Sequence, residues 1–223
     1  MDTTSTAFVD NAQRDRVTVA GPDALRYLQS QLAQDIDGLA VGGDTWTLVL
    51  DPSGKVDALA RVTRTADESF VLDTDPGFGE VLVARLARFK IRVEAEIELD
   101  AADGGPAADH EVERVAAGWP RMGAEIVPGE TIPATTGLID LAVSLTKGCY
   151  PGQELVERMD SRGADAPRLL RVLDVGPDAE VGDPILDADG TEVGSLTSVA
   201  GGTGLGYVKR GSTIGSPPAH APR

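Results

Sequence analysis

The sequence is short of the residues that form disulfides and metal sites. It has one cysteine, Cys149, and two histidines, His110 and His220, among 223 residues. A single cysteine cannot form an internal disulfide, and so few soft ligands exclude a structural zinc site built by this chain alone. No metal site is expected, and a metal cluster at Cys149 would need shared ligands or a partner.

Positive charge and long apolar runs are also scarce. Lys and Arg number 20 against 36 Asp and Glu, which gives a formal net charge of −16 at pH 7. This balance opposes non-specific attraction to nucleic-acid phosphates or to anionic lipid. Residues 1–30 contain neither a signal-peptide apolar region nor a run long enough to span a bilayer. The sequence therefore predicts a soluble, cytoplasmic protein without nucleic-acid or membrane partners.

Apolar periodicity in the first half of the chain predicts strands interrupted by two helices. The strands are expected at 17–20, 45–50, 55–63, 69–73 and 91–99. The last of these has the clearest alternation of apolar and charged residues. One helix carries an apolar stripe, and the other follows it at 76–89; the stripe consists of Leu25, Leu28, Leu32 and Ile36.

The second half is rich in short strands. Segments at 169–175, 192–199 and 205–209 are separated by Gly and Pro turns, which predicts a small antiparallel barrel or sheet. Together the two halves predict an α+β fold. The expected organisation is a body, a barrel-like domain and a disordered tail, at 1–163, 164–210 and 211–223. Residues 100–110 are predicted to be a surface loop, with a possible sub-domain boundary near 100–118.

The segment around Cys149 is the most informative for chemistry. Pro151 suits the first turn of a helix, and Gln153–Met159 are good helix formers. Cys149 is therefore expected just before a helix N-terminus. The partial positive charge there, together with Lys147, can lower a cysteine pKa from about 8.5 into a reactive range. The thiol is then a candidate nucleophile, redox group or metal ligand. The residues alone leave open that Cys149 is a small buried side chain within a glycine-shaped turn.

The stretch KGCYPGQE, Lys147–Glu154, resembles the signature of YgfZ proteins, relatives of the glycine-cleavage T-protein, an aminomethyltransferase. Three further segments resemble that family in the same order, at 19–36, 51–56 and 132–138. The resemblance implies a folate-binding α+β body of T-protein type, with a mixed or antiparallel sheet, and a small C-terminal antiparallel β-barrel. It also implies a pterin in a central cavity and a role in iron–sulfur cluster maintenance.

Two departures separate this chain from the aminomethyltransferases. Ala58 and Leu59 stand where those enzymes have consecutive acidic residues, and Asp57 lies one position earlier, which on a strand is the opposite face. Thr135 replaces the glutamate that contacts folate. Both losses favour the YgfZ type. The chain also reaches Trp119 soon after Asp100, so part of the second body domain is expected to be missing and the folate cavity to be incomplete.

The resemblance implies a set of functional residues. Cys149 and Lys147 are the expected catalytic pair, with Lys147 tuning the thiol or neutralising the glutamate tail of folate. The expected contacts of tetrahydrofolate, or of another reduced folate, are Tyr150, Gln153, Glu154, Gln29, Gln31, Asp35 and Trp119. Simpler roles stay open for all of them, namely a loop lysine, a helix cap, a solvated helix face and core aromatics.

Three functions follow from these residues. The leading hypothesis is a tetrahydrofolate-binding accessory protein in iron–sulfur cluster assembly or repair, with iron–sulfur proteins or their assembly factors as partners. The second is a folate-dependent one-carbon transferase of aminomethyltransferase type. The third is a non-catalytic interaction module that has lost folate.

Overall fold

The computed structural model describes residues 13–103, 110–161 and 166–219. The larger of two antiparallel sheets in this part of the chain has five strands. They are β1 (Asp15–Ala20), β2 (Asp44–Leu50), β3 (Val56–Ala66), β4 (Ser69–Thr74) and β5 (Glu96–Asp100). Their spatial order is β2-β3-β4-β1-β5, so β4 is the central strand.

Two helices pack against this sheet, α1 (Ala24–Gln31) and α2 (Gly79–Ala87). Leu28 of α1 and Leu82 of α2 are fully buried in the main core. The helices also touch each other, because the Tyr27 hydroxyl donates a hydrogen bond to the Leu86 carbonyl. The predicted helices are confirmed, with shorter limits than the sequence suggests.

The end of α1 explains why its limit differs. The apolar stripe predicts a helix that continues towards Ile36, but Leu32 has extended backbone and forms a β-bridge with Val49. The Ala33 N–H then donates to the Leu48 carbonyl at 3.0 Å. Leu32 and Ile36 are fully buried. The stripe therefore marks the core correctly, although the chain leaves the helix to pair with β2.

The strand predicted at 91–99 is wrong over its first half. Only Glu96–Asp100 forms β5, which pairs with β1. Ile91 is 75% exposed, and Arg92 has a left-handed backbone with φ of 55°. The Glu94 carbonyl accepts a hydrogen bond from the Asp23 N–H at 3.2 Å. The alternating pattern thus continues into a segment whose backbone crosses the turn before α1.

The second sheet lies in the C-terminal part of the chain. Its strands are β6 (Arg168–Asp174), β7 (Pro184–Leu186), β8 (Glu192–Ala200) and β9 (Thr203–Lys209), in the order β6-β9-β8-β7. The three predicted strands are confirmed. Strand β7 was not predicted, because it is only 3 residues long and buries one apolar side chain, Ile185.

The segment after Gly211 packs against this sheet. Ser216 and Val172 exchange two backbone hydrogen bonds, at 2.8 and 2.9 Å, and Ala219 donates to the Ala117 carbonyl at 3.1 Å. The prediction of a disordered tail is therefore wrong for residues 211–219. Residues 220–223 lie outside the described residues.

Between the two sheets, the described residues form three helices and a short 3-10 turn. They are α3 (Glu111–Ala117), the turn Pro133–Thr135, α4 (Ile139–Ala142) and α5 (Gln153–Ser161). Helix α3 was not predicted and falls in the stretch where the sequence suggests only a boundary. The predicted loop at 100–110 and the predicted boundary after residue 163 lie largely outside the described residues, so both stay predictions.

A buried ion pair joins the body to the second sheet. Arg114 of α3 donates to the Glu125 carboxylate at 3.0 Å and to the Ser198 hydroxyl of β8 at 2.6 Å. The Glu125 side chain is fully buried, and it also accepts hydrogen bonds from Thr197 and Ser198. A buried ion pair, in which the charges of Arg114 and Glu125 neutralise each other, therefore lies at the contact between the body and the second sheet.

Candidate functional site

Cys149 is exposed at the tip of a loop between α4 and α5. Gly148 beside it is also exposed and has open space around the position of a side chain. The interpretation of Cys149 as a buried structural residue is therefore wrong. Its thiol faces solvent, where a reagent or a partner protein can reach it.

A turn separates Cys149 from helix α5. The helix begins at Gln153 rather than near Pro151, because Tyr150–Gly152 form the turn before it. Tyr150 is only 7% exposed, and its backbone N–H donates a hydrogen bond to the Gln153 side-chain oxygen at 3.4 Å. The turn is thus anchored in the protein core on the C-terminal side of Cys149.

This turn touches the β2–β3 hairpin backbone to backbone. Gly152 and Gly54 both have left-handed backbones, with φ of 83° and 87°. A Cβ atom on Gly152 would lie 2.6 Å from the Asp51 carbonyl oxygen and 2.8 Å from the Gly54 Cα. Only glycine fits such an approach. The loop that presents Cys149 therefore rests on the hairpin turn.

Lys147 anchors the other side of the loop. Its ammonium group donates to three backbone carbonyls at the end of α1, those of Gln29, Leu32 and Gln34, at 2.6, 2.9 and 3.0 Å. It also lies 5.6 Å from the centre of the Tyr150 ring. Burial lowers the pKa of Lys147 to about 8, and the Asp35 carboxylate opposes that shift. The half-buried Lys147 ammonium thus has backbone partners within the body, and its roles toward the thiol and toward a folate tail stay predictions.

Gln29 and Asp35 bind each other. The Gln29 amide donates to the Asp35 carboxylate at 2.9 Å, and its oxygen accepts from the Ile36 N–H at 2.9 Å. The hydrogen bond from Gln29 holds the pKa of Asp35 below its usual value, with further help from the Asp37 N–H. Both side chains thus close the loop after α1, and a role in folate binding stays a prediction.

The predicted aromatic contacts lie in the core. Trp119 is 4% exposed and packs edge-to-face against Trp46, with ring centres 4.7 Å apart. Tyr150 is buried beside Lys147. Neither ring presents an open face for stacking, so the structure has the core arrangement that the sequence left as the alternative. Gln153 and Glu154 lie in the first turn of α5, where Glu154 is exposed and Gln153 bonds to Glu157.

Sequence reasoning missed a buried polar cluster below the hairpin. Arg85 of α2 was interpreted as a cation suited to a helix C-terminus, but its side chain is 3% exposed. It donates to the Leu50 carbonyl at 2.7 Å and to the Gln31 side chain at 3.2 Å, and lies 3.6 Å from the Asp57 carboxylate. Its Nη2 atom has no hydrogen-bond partner within the described residues. Gln31 is therefore a structural partner of Arg85, buried to 7% exposure.

Asp57 occupies an irregular position of β3. Pairing with β2 shifts there, since Val49 faces Ala58 while Leu50 faces Val56. Burial, with the neighbouring Asp51 carboxylate, raises the pKa of Asp57, and Arg85 acts in the opposite direction. Ala58 is fully buried and Leu59 nearly so, so no acidic side chain stands at the two positions where the aminomethyltransferases carry theirs.

Comparison with known proteins agrees with this fold. An uncharacterized protein of Haemophilus influenzae is 30% identical over 86% of this chain and 83% of its own length. Residues 168–221 match the model of the CAF17 C-terminal beta-barrel domain. The human protein "Iron-sulfur cluster assembly factor IBA57, mitochondrial" is 35% identical over 44% of this chain, an alignment that spans 29% of the human protein. This chain belongs to the YgfZ/CAF17/IBA57 family of aminomethyltransferase-related proteins.

A solved structure supports the same assignment at the level of fold. The glycine cleavage system aminomethyltransferase T from Bartonella henselae superposes with a TM-score of 0.77, over 88% of this chain and 76% of that chain. The sequence identity is 16%, so the likeness concerns the fold alone. The predicted fold class, an α+β body of T-protein type with a C-terminal β-barrel, is confirmed.

Two cavities lie where the body meets the C-terminal barrel of this family member. One of about 360 Å³ is lined by residues that include Glu130, Thr135, Arg168 and Tyr207. The other, of about 450 Å³, is lined by Thr135 and by Arg171, among others. Thr135 thus borders both. None of the predicted folate contacts, Gln29, Gln31, Asp35, Trp119, Tyr150, Gln153 and Glu154, lines either cavity.

Within residues 13–103, 110–161 and 166–219, no group of 3 or more His, Cys, Asp and Glu side chains is arranged to hold a metal ion. In the same ranges, no helix is long and apolar enough to cross a bilayer.

Proposed function

We propose that this chain is a YgfZ-type accessory protein in iron–sulfur cluster assembly or repair, that it binds tetrahydrofolate or another reduced folate, and that it works in the cytoplasm. The observation that carries this proposal is the exposed Cys149 at the tip of a loop anchored on both sides. The name of the human relative, an iron–sulfur cluster assembly factor, points to the same process.

The chemistry proposed for Cys149 is that of a thiolate that contacts iron–sulfur cargo or a partner protein. Thiolate is the form of cysteine that attacks electrophiles and binds metals. Because the described residues hold no group of metal ligands, Cys149 would supply one ligand or one nucleophile. The remaining ligands would come from an iron–sulfur protein or its assembly factor. The exposure of Cys149 fits such a shared site.

The folate is proposed to bind in the cavities on either side of Thr135. Their sizes, about 360 and 450 Å³, fall in the range of about 300–1,000 Å³ usual for small-molecule sites. Glu130 offers an acceptor for pterin N–H groups, and Arg168 or Arg171 offers a partner for the folate carboxylates. These groups fit the ligand, which when bound would supply one-carbon chemistry at its ring nitrogens. The contacts expected from sequence lie elsewhere and stay predictions.

One-carbon transfer is the less favoured function. A general acid or base must lie near the folate amine for that reaction. Ala58 and Leu59 carry no acid or base, and Asp57 is paired with Arg85. Glu130, at the proposed folate cavity, is assigned to the pterin N–H groups. Folate is therefore expected to bind without aminomethyl transfer.

Complementation tests the proposal. A strain that lacks its own YgfZ protein would receive the wild type, the Cys149→Ser variant or the Thr146→Ala variant. Thr146 is an exposed residue of the same loop, so its variant is the control. Activity of iron–sulfur enzymes should be restored by the wild type and Thr146→Ala, and should stay at the vector level with Cys149→Ser. Full restoration by Cys149→Ser would overturn the proposed role of the thiol.

Calorimetric titration with tetrahydrofolate tests the ligand separately. Saturable binding in the micromolar range or tighter is expected, and Arg168→Met should weaken it. Arg26→Met, which removes a 79% exposed cation of α1 that lines neither cavity, is the matched control. Absence of binding up to millimolar folate, with folded protein, would favour the interaction module.

A further inference from the structure

The loop that carries Cys149 has an exposed tip between two anchored ends. Gly148 and Cys149 form the tip. Tyr150 and Gly152 follow it, one buried in the core and the other in contact with the hairpin turn. Lys147 precedes it, and its ammonium group binds backbone carbonyls at the end of α1. The position of the thiol therefore depends on what holds Lys147.

The carbonyls that bind Lys147 are available because α1 ends where it does. In a longer helix the Ala33 N–H would donate to the Gln29 carbonyl, but here it donates to Leu48 of β2 instead. The last carbonyls of a helix lack partners within the helix, and a cation there is favourable. Lys147 supplies both the cation and the missing donors.

The geometry requires the donors of a primary ammonium group. Three carbonyl oxygens lie 2.6–3.0 Å from one nitrogen atom, and a lysine ammonium carries three N–H donors on that single atom. A guanidinium spreads its donors over a plane and reaches further. The three contacts thus use the full donor capacity of Lys147 and leave none for a ligand.

The backbone on either side of Lys147 is also tied to this part of the body. The Ser144 N–H donates to the Ala33 carbonyl at 2.9 Å, and the Lys147 N–H donates to the Ser144 hydroxyl at 3.2 Å. Gln34 returns a contact by donating its amide to the Leu141 carbonyl at 2.8 Å. Two of these bonds, like those of the Lys147 ammonium, link the loop to residues more than 100 positions earlier in the chain.

We propose that Lys147 is a positioning residue that fastens the Cys149 loop to the end of α1 through its three N–H donors. It acts on the backbone next to Cys149, since protein carbonyls take its three donors. The consequence for activity rests on the proposed function of Cys149, whereas the fastening of the loop does not.

Hydrogen exchange of backbone amides measures the fastening directly. Lys147→Met removes the donors but keeps an apolar stem against Tyr150. It should raise the exchange rates of the Ser144 and Lys147-position amides at least about ten-fold, as expected for a segment that opens locally, while amides of α2 keep theirs. Lys209→Met is the matched control, because its ammonium also donates to a backbone carbonyl, that of Glu192, but in the second sheet. Unchanged exchange in Lys147→Met would overturn the proposal.

Chemical rescue separates hydrogen-bond donation from charge. Lys147→Ala leaves space for a small amine, so n-propylammonium should restore both the slow exchange of the loop and the iron–sulfur enzyme activity in extracts. Tetramethylammonium, which has the same charge but no N–H, should restore neither. Equal rescue by both ions, or slow exchange restored without activity while the wild type is active, would contradict a positioning role. Failure of Cys149→Ser to lose activity would instead count against the proposed function and leave the exchange result standing.

Discussion

Two cations, one buried and one half-buried, hold two regions of this molecule in different ways. Arg114, at the junction of the body and the second sheet, meets the carboxylates of Glu111 and Glu125. Lys147, in the Cys149 loop, meets only neutral carbonyls at hydrogen-bond distance, with Asp35 as a more distant influence. The junction cancels charge inside the protein. In the loop, the charged Lys147 binds neutral carbonyl groups instead, which positions the loop and leaves Cys149 exposed.

This difference predicts that the junction contributes more to stability than the loop does. Arg114→Met should lower the free energy of unfolding by about 3–5 kcal/mol, because it leaves the Glu125 carboxylate buried without its cation. Urea unfolding followed by circular dichroism measures this. Arg26→Met, at an ion pair whose arginine is 79% exposed, is the control and should change little. If both substitutions lower the free energy of unfolding equally, the junction contributes no more to stability than a surface ion pair does, and the prediction is wrong.

The contact between the loop and the hairpin should rank second. Gly152→Ala should destabilise the protein by more than about 1 kcal/mol, since the new Cβ would clash with the Asp51 carbonyl and the backbone is left-handed. Gly148→Ala, where the space is open, should be nearly neutral. Thermal unfolding of both variants gives the comparison. If Gly148→Ala costs as much, the two sides of the loop tip are not anchored as described.

The smallest effect is expected at Asp57, as a dependence on pH. Burial and Asp51 raise the pKa of Asp57 in the folded protein, so the folded state holds its proton more tightly than the unfolded state does. Its contribution to stability is complete below the ordinary aspartate pKa of about 3.9 and is lost as pH rises through the raised value. The Asp57→Asn variant has no titratable group at this position, so its stability lacks this dependence on pH. The stability of the wild type relative to Asp57→Asn should therefore fall between pH 4 and pH 7, and a constant difference in urea unfolding would contradict the shift.

Local patterns in the sequence predict the strands and the main core well. The turn at Asp51–Gly54 marks the β2–β3 hairpin, and alternation marks β6, β8 and β9. The errors occur where the backbone forms hydrogen bonds with a distant segment instead of continuing its local helix or strand. Leu32 leaves α1 to pair with Val49, and Glu94 accepts from Asp23 instead of continuing a strand. Such competition between local preference and long-range pairing is not visible in a window of sequence.

The candidate site was predictable in its central residue and not in its surroundings. The signature points to Cys149 and to its exposure just before α5. The partners of Lys147 are carbonyl groups more than a hundred positions away, and a carbonyl has no side-chain identity to recognise. Arg85 looked like an ordinary cation at a helix end, whereas tertiary packing buries it beside Asp57. Both roles arise from folding rather than from residue type.

The Cys149 loop is expected to be needed for function, whereas the Arg114–Glu125 junction is expected to be needed for stability. The most direct test measures iron–sulfur enzyme activity per folded molecule in the complemented strain, for Cys149→Ser and for Arg114→Met. The account predicts that Cys149→Ser keeps the wild-type melting temperature and loses activity, whereas Arg114→Met melts earlier and keeps activity per folded molecule. Activity that follows melting temperature in both variants, with Cys149→Ser fully active, would contradict it.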